Sequence, residues 1–219
     1  MSKEESILFL SMAMLAFLAG RIPYLGKFLR VFHTLFHEGG HVLAAWISGG
    51  EVLRIELFQD TSGTTISKSK NKSSMAFVSL AGYIFASFTA FLFVFLLSMG
   101  QEKILHFIIL GLSIVLLFKG VKNTFGIFWI ILLLAVYFAI LWFYPAKSWM
   151  LVYAFTGLLM YESLFSAFQI MLIAMVKPGN AGDTTNLARV TVLPSVIWGM
   201  VFFAQAVLFT ILSVQFLFV

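Results

Sequence analysis

His37, Glu38 and His41 sit within five positions of one another in the run "VFHTLFHEGGHVLAAW", residues 31–46 of a strongly apolar chain. On a helix, residues i and i+4 share a face one turn apart, so His37 and His41 can turn both imidazoles toward one ion. Glu38 projects beside them. The spacing His-Glu-x-x-His suits zinc-dependent hydrolysis for that geometric reason. It offers two neutral nitrogen ligands and a carboxylate placed to take a proton from metal-bound water. The plainer alternative is that these histidines only hydrogen-bond neighbouring helices. An apolar setting weighs against it, because ionisable groups inside a membrane are costly and generally mark function.

The same run also holds a third histidine and two glycines. The backbone of His33 lies about 12 Å from that of His41 at a helical rise of about 1.5 Å per residue. Zinc–nitrogen bonds are only about 2.0–2.1 Å long, so one straight helix does not supply three ligands. His33 is therefore expected beside the site or on its entry path, or bonded to backbone or a lipid headgroup near the helix start. Gly39 and Gly40 each cost a helix interior about 1 kcal/mol against alanine. In return they let another helix, or a peptide substrate, come close to the metal face.

A site with two histidines needs a third protein ligand and an open position. The chain has no cysteine, and His106 falls near the start of a distant helix, which leaves the acids. Asp60, Glu51 and Glu56 belong to a segment with strand character, and Glu102 to a short loop. Two candidates remain. Asp183 lies in "KPGNAGDTTNLARV", a break between apolar runs, and irregular backbone enters a membrane protein where it lines a polar cavity. Its alternative role is to cap a short helix starting at Thr184. Glu162, in "GLLMYESLFSAF", is the deeper acid, suited to bind the metal or to brace a histidine. Asp183 is favoured, with Glu162 the alternative.

The elements that must position these groups are mostly membrane helices. The 219 residues are 61% hydrophobic and only 11% charged, against roughly half and a quarter for a soluble domain, so the chain belongs to the membrane class. The basic residues lie in short connections between apolar runs, so the net charge of +5 speaks for orientation in a bilayer and not for nucleic acid. Apolar runs near 5–20, 28–48, 74–98, 103–119, 123–144, 148–176 and 191–218 predict an all-α polytopic membrane protein. Two of these runs are short, so six or seven transmembrane helices are expected. The first run, preceded by "MSKEES", is expected to be a retained helix rather than a signal peptide. With seven spans, nine of the Lys and Arg residues fall on the side of the N-terminus and five opposite, which places the N-terminus in the cytoplasm. Residues 49–67, "GGEVLRIELFQDTSGTTIS", combine two helix-ending glycines, β-prone residues and a turn signal. They predict a small β-hairpin after the second helix. The whole chain, 1–219, is expected to be one transmembrane domain.

On these residues the sequence resembles the site-2 protease family of intramembrane zinc metalloproteases. The resemblance is carried by "FHEGGHVLAAWISGG" at 36–50, "EVLRIEL", "SLAGYIFASF" at 79–88 and "GNAGDTTNLA" at 179–188, about a quarter of the chain. It implies that His37 and His41 bind zinc, that Glu38 is the catalytic acid/base, and that a late aspartate, here Asp183, is the third ligand. The family often shows Leu-Asp-Gly where this chain has Gly-Asp-Thr. "AGYIFAS" is similar to the family's small-residue helix motif, with Ser87 at its end. No inserted PDZ or CBS module is evident, so a minimal member is expected.

The function expected from the sequence is hydrolysis of peptide bonds in transmembrane or membrane-associated protein substrates, within the lipid bilayer. The expected place is the plasma (inner) membrane of a prokaryote. The strand at 52–58, with Val52, Arg54 and Glu56, is expected to hold the substrate extended by edge pairing. Asn180 is offered as an added hydrogen-bond donor to the oxyanion. Two rivals stand beside this reading: a non-catalytic membrane scaffold retaining a zinc site, and a transporter whose His and Glu residues line an ion path.

Overall fold

The computed structural model describes residues 1–218. In chain order its helices are α1 (Lys3–Ala19), α2 (Leu25–Ile47), α3 (Lys72–Ser98), α4 (Glu102–Lys119), α5 (Thr124–Phe143), α6 (Trp149–Val176), α7 (Gly182–Val190) and α8 (Ser195–Leu217). Seven of these are long and coincide with the seven apolar runs. The eighth, α7, is a short helix inside the polar break, and the last long helix starts only after Pro194. Four segments are long and apolar enough to cross a membrane by length and composition: Lys72–Ser98, Thr124–Phe143, Pro145–Val176 and Ser195–Leu217. The other long helices differ for visible reasons. α1 has 17 residues, α4 carries Glu102, Lys103 and Lys119 at its ends, and α2 carries Lys27, Arg30 and Glu38. The protein is thus a polytopic membrane protein with a small two-stranded sheet.

α6 runs through the middle, flanked by α1, α3 and α8, and α2 lies along α3. Nearly every residue of α2 from Val31 to Ala45 is buried, but its two sides differ in chemistry. On one side Phe36 meets Phe93 of α3 edge-on at 5.7 Å, and Phe32 meets Phe155 of α6 at 4.4 Å. The other side carries Arg30, His33, His37, Glu38 and His41 into a cleft. Packing energy on the aromatic side holds the polar side in place.

The two glycines of α2 are explained by neighbouring helices. A Cβ on Gly40 would stand 2.6 Å from the Phe85 Cβ and 2.7 Å from the Ala81 carbonyl oxygen of α3. One on Gly39 would stand 3.2 Å from a Leu112 methyl of α4. Close backbone approach through small residues is the usual way membrane helices gain contact.

After α2, Gly49 takes a left-handed φ of 68° and turns the chain into a hairpin of β1 (Glu51–Leu57) and β2 (Gly63–Lys68). The strands are antiparallel, with Ile55 opposite Thr65 and Leu57 opposite Gly63, and a bulge between Val52 and Arg54. The turn is tied by Asp60, whose carboxylate accepts from the Ser62 N–H at 3.0 Å and its hydroxyl at 2.6 Å. Those bonds hold the Asp60 carboxyl below the usual carboxylate range. The far edge of β1 is sealed. The Ile55 N–H donates to the Gly120 carbonyl at 2.8 Å, and the Lys122 N–H donates to the Ile55 carbonyl at 3.0 Å. Asn123 adds a side-chain bond each way to the Leu57 backbone, at 3.1 and 2.5 Å. Among the described residues β2 has no partner but β1, so its other edge is free.

Gly40→Val is expected to wedge α2 from α3 and destabilise the fold by about 1–3 kcal/mol, the usual cost of overpacking. Thermal unfolding in detergent measures it, with Gly111→Val as control, because a Cβ there meets nothing within 4 Å.

Candidate metal centre and catalytic cleft

The α2 stripe, β2, α6 and the start of α7 enclose one cleft of about 900 Å³. At its floor three donor atoms converge. The Nε2 atoms of His37 and His41 are 3.1 Å apart. Asp183 Oδ2 lies 3.2 Å from the first and 3.3 Å from the second. Four ligands in a tetrahedron around zinc, with bonds of about 2.0–2.1 Å, stand ~3.3 Å from one another. The observed triangle therefore has the dimensions of three corners of such a site, and a divalent metal fits it.

The local sequence explains how each corner is held. The His41 Nδ1–H donates to the Val78 carbonyl oxygen at 2.7 Å, which leaves the Nε2 lone pair free for a metal. The His37 ring is met edge-on by Tyr83 at 4.6 Å, and Tyr83 in turn stacks on Phe202 of α8 at 4.6 Å. Gly82 makes the space. A Cβ there would stand 2.5 Å from His37 Cε1 and 2.7 Å from His41 Cε1. Asp183 sits in the first turn of α7, where the helix dipole favours a carboxylate. It does not cap that helix; Ala181 holds the cap position, and its own side chain makes no cap hydrogen bond.

Gly182 takes a left-handed φ of 49°, and the two threonines after Asp183 pin the turn. The Ala181 N–H donates to Thr185 Oγ1 at 2.9 Å, and that hydroxyl donates to the Pro178 carbonyl at 2.7 Å. Thr184 Oγ1 donates to the Ala181 carbonyl at 2.8 Å. The Gly-Asp-Thr-Thr sequence is thus a local device for presenting one carboxylate.

Glu38 is buried beside the triangle, its carboxylate within 4.8 Å of the His37 and His41 ligand atoms. The hairpin clamps it. The Thr65 hydroxyl donates to Glu38 Oε2 at 2.6 Å, and a Cβ on Gly63 would stand 2.5 Å from Oε1. Thr34, on the same face of α2, donates to the Thr61 carbonyl at 2.7 Å and ties the hairpin turn down over the cleft.

The other residues singled out from the sequence fall in different places. Glu162 lines the cleft but forms an ion pair with Arg21, Oε1 to Nη2 at 2.7 Å; Asp183 is the acid that touches both imidazoles. His33 also lines the cleft, with its Nε2 3.2 Å from the Ser166 hydroxyl. Val52, Arg54 and Glu56 are on β1, which is flanked on both edges, and they do not line the cleft; Gly63 to Ser67 of β2 do. Asn180 lies outside the lining, whereas Asn186 on α7 is part of it. Ser87 faces α8, where its hydroxyl accepts from Gln205 Nε2 at 3.2 Å. Thr65 and Gly63 were not indicated by the sequence, and Tyr83 only by its place in the run at 81–87. Gly82 had a signal, since it lies inside the small-residue run "AGYIFAS".

A polytopic helical protein carrying a His-Glu-x-x-His face, with a distant carboxylate closing a metal-sized triangle, has the build of a membrane metallopeptidase. The family model described as Peptidase M50B-like matches residues 10–213, and the chain belongs to that family, a site-2 protease family. No curated protein and no solved structure gives a significant match.

Two substitutions test the triangle. Gly82→Ala, which presses on both rings, is expected to weaken divalent-metal binding about 10- to 100-fold, the size seen when ligand orientation is disturbed. Asp183→Ala is expected to weaken it further, and Glu162→Gln to leave it near wild type. Metal titration of the purified full chain reads all three.

Proposed function

We propose that this chain is an intramembrane zinc endopeptidase that hydrolyses peptide bonds of membrane-embedded protein substrates. The observation that carries the reading is the 3.1–3.3 Å triangle of His37, His41 and Asp183 with the Glu38 carboxylate beside it. His37, His41 and Asp183 would hold the zinc ion. When bound, zinc supplies Lewis acidity, bringing water's deprotonation to near-neutral pH and polarising a carbonyl.

The chain's own groups account for the rest. Glu38 takes the water proton and passes it to the departing amine. Thr65 holds Oε2 at 2.6 Å, which fixes the carboxylate rotamer and leaves the remaining lone pairs for that transfer. The Val78 carbonyl fixes the His41 tautomer through the 2.7 Å contact at Nδ1. The free edge of β2 lies along the cleft, and an extended peptide can pair with its unpaired backbone groups. Edge pairing thus moves from β1, the strand favoured by sequence, to β2. Asn186 replaces Asn180 as the nearby amide, since it alone of the two lines the cleft. With seven spans, the excess of Lys and Arg on one side supports an N-terminus in the cytoplasm.

Glu38→Gln is expected to lower cleavage of single-span model substrates in proteoliposomes by about 10²–10⁴-fold, with metal content unchanged. Metal retention with wild-type cleavage overturns the assignment of the base. Metal without turnover by the wild-type chain on any substrate supports a scaffold. Thr65→Val, which frees one carboxylate oxygen of its donor, is expected to cost about 10-fold in kcat.

A further inference from the structure

We infer that Arg30 selects substrate by receiving a carboxylate carried about three residues from the scissile bond. This rests on the peptidase reading above and names the substrate class for that site: peptides with an acidic group at a fixed distance.

The placement follows from α2. Arg30 lines the same cleft as His37 and Glu38, on the same helix face. Arg30 and His37 are seven positions apart on the helix, about 10.5 Å at 1.5 Å per residue. An extended strand covers that distance in about three residues, at roughly 3.3 Å each. A peptide lying along the free edge of β2 with its scissile bond at the triangle therefore brings its third neighbour to Arg30.

At this end of the cleft two guanidinium groups face one deep carboxylate, and among the described residues Arg30 makes no ion pair of its own. Glu162, the acid of α6, lies in the field of both guanidiniums, but its close contact, at 2.7 Å, is with Arg21. Arg21 is itself held between the rings of Phe17 and Phe165, each 4.3 Å away. Of the other acids in the lining, Glu38 and Asp183 belong to the metal end, and Asp60 accepts two bonds from Ser62. Among the described residues no carboxylate oxygen comes within 4.0 Å of an Arg30 nitrogen. The Arg30 Nε is buried and has no hydrogen-bond acceptor. The neighbouring His33 does not serve, being engaged with Ser166 at 3.2 Å.

Two guanidinium groups thus share one carboxylate in a half-buried site. An unpaired cation in such surroundings gains strongly from an incoming anion, and a guanidinium receives a carboxylate through two parallel bonds. Because Arg30 opens into the cleft of the catalytic base, the peptide in that cleft is the source of the anion. An acidic side chain and a free chain terminus offer the same chemistry. An anionic lipid phosphate is the competing ligand.

The test uses the full chain carrying Glu38→Gln, so that peptides bind without being cut. Fluorescent single-span peptides carry one Glu, or Gln as control, moved residue by residue through the cleaved region; a second set ends in a free acid or an amide. At one position Glu is expected to bind about 10- to 100-fold tighter than Gln, the worth of a charge-assisted contact. Adding Arg30→Gln brings the Glu:Gln ratio close to one. Adding Arg30→Glu reverses the preference toward Lys at that same position, a result that general misfolding does not produce. A preference for the free acid over the amide, lost with Arg30→Gln, assigns the anion to the chain end. Three results overturn the proposal: no Glu or free-acid preference in peptides that bind, a preference surviving Arg30→Gln, or an Arg30 effect confined to phosphatidylglycerol vesicles. If the reversal holds but the chain with Glu38 intact cuts no peptide, the peptidase reading fails and the recognition site stands.

Discussion

Two imidazole nitrogens and a carboxylate oxygen held 3.1–3.3 Å apart are mutually repulsive unless a proton or a metal cation lies between them. Bringing these atoms together inside a chain that is 61% hydrophobic is the constraint around which the rest of the structure is arranged. α2 meets it with a two-sided design. Its aromatic side, Phe32 and Phe36, locks against α6 and α3, so its polar side cannot rotate away. Gly82 and Tyr83 of α3 then hollow and wall the space for the rings, and α7 delivers the acid from the far end of the chain.

How much of this was legible follows from the range of each interaction. The His37–Glu38–His41 face is a local repeat on one helix, and local periodicity survives in sequence. The seven long helices and the hairpin were equally legible, as long apolar runs and a turn signal. Elimination narrowed the third ligand to Asp183 and Glu162, because the chain has so few acids, and the polar break around Asp183 favoured it. Thr65 was not legible. It reaches Glu38 across 27 residues, through a strand pairing and a hairpin docking that no local pattern encodes. The same holds for the fate of Glu162, a deep acid that sequence cannot distinguish from a ligand until Arg21 is found against it at 2.7 Å.

The exchange of β1 for β2 as the open edge has one cause. β1 carries the more evident strand residues, "EVLRIEL", and so attracts attention in the sequence. Its outer backbone groups, however, are taken by Gly120, Lys122 and Asn123. A strand's propensity says how readily it forms; whether its edge is open depends on what packs beside it.

The stitching of Ile55 to residues 120 and 122 carries a mechanical corollary. The strand that clamps Glu38 cannot pivot alone, since its mate is fastened to the joint between α4 and α5. Any swing that widens the gap above the base drags that joint with it. Forces applied to two peripheral helices therefore arrive at the carboxylate through two backbone bonds.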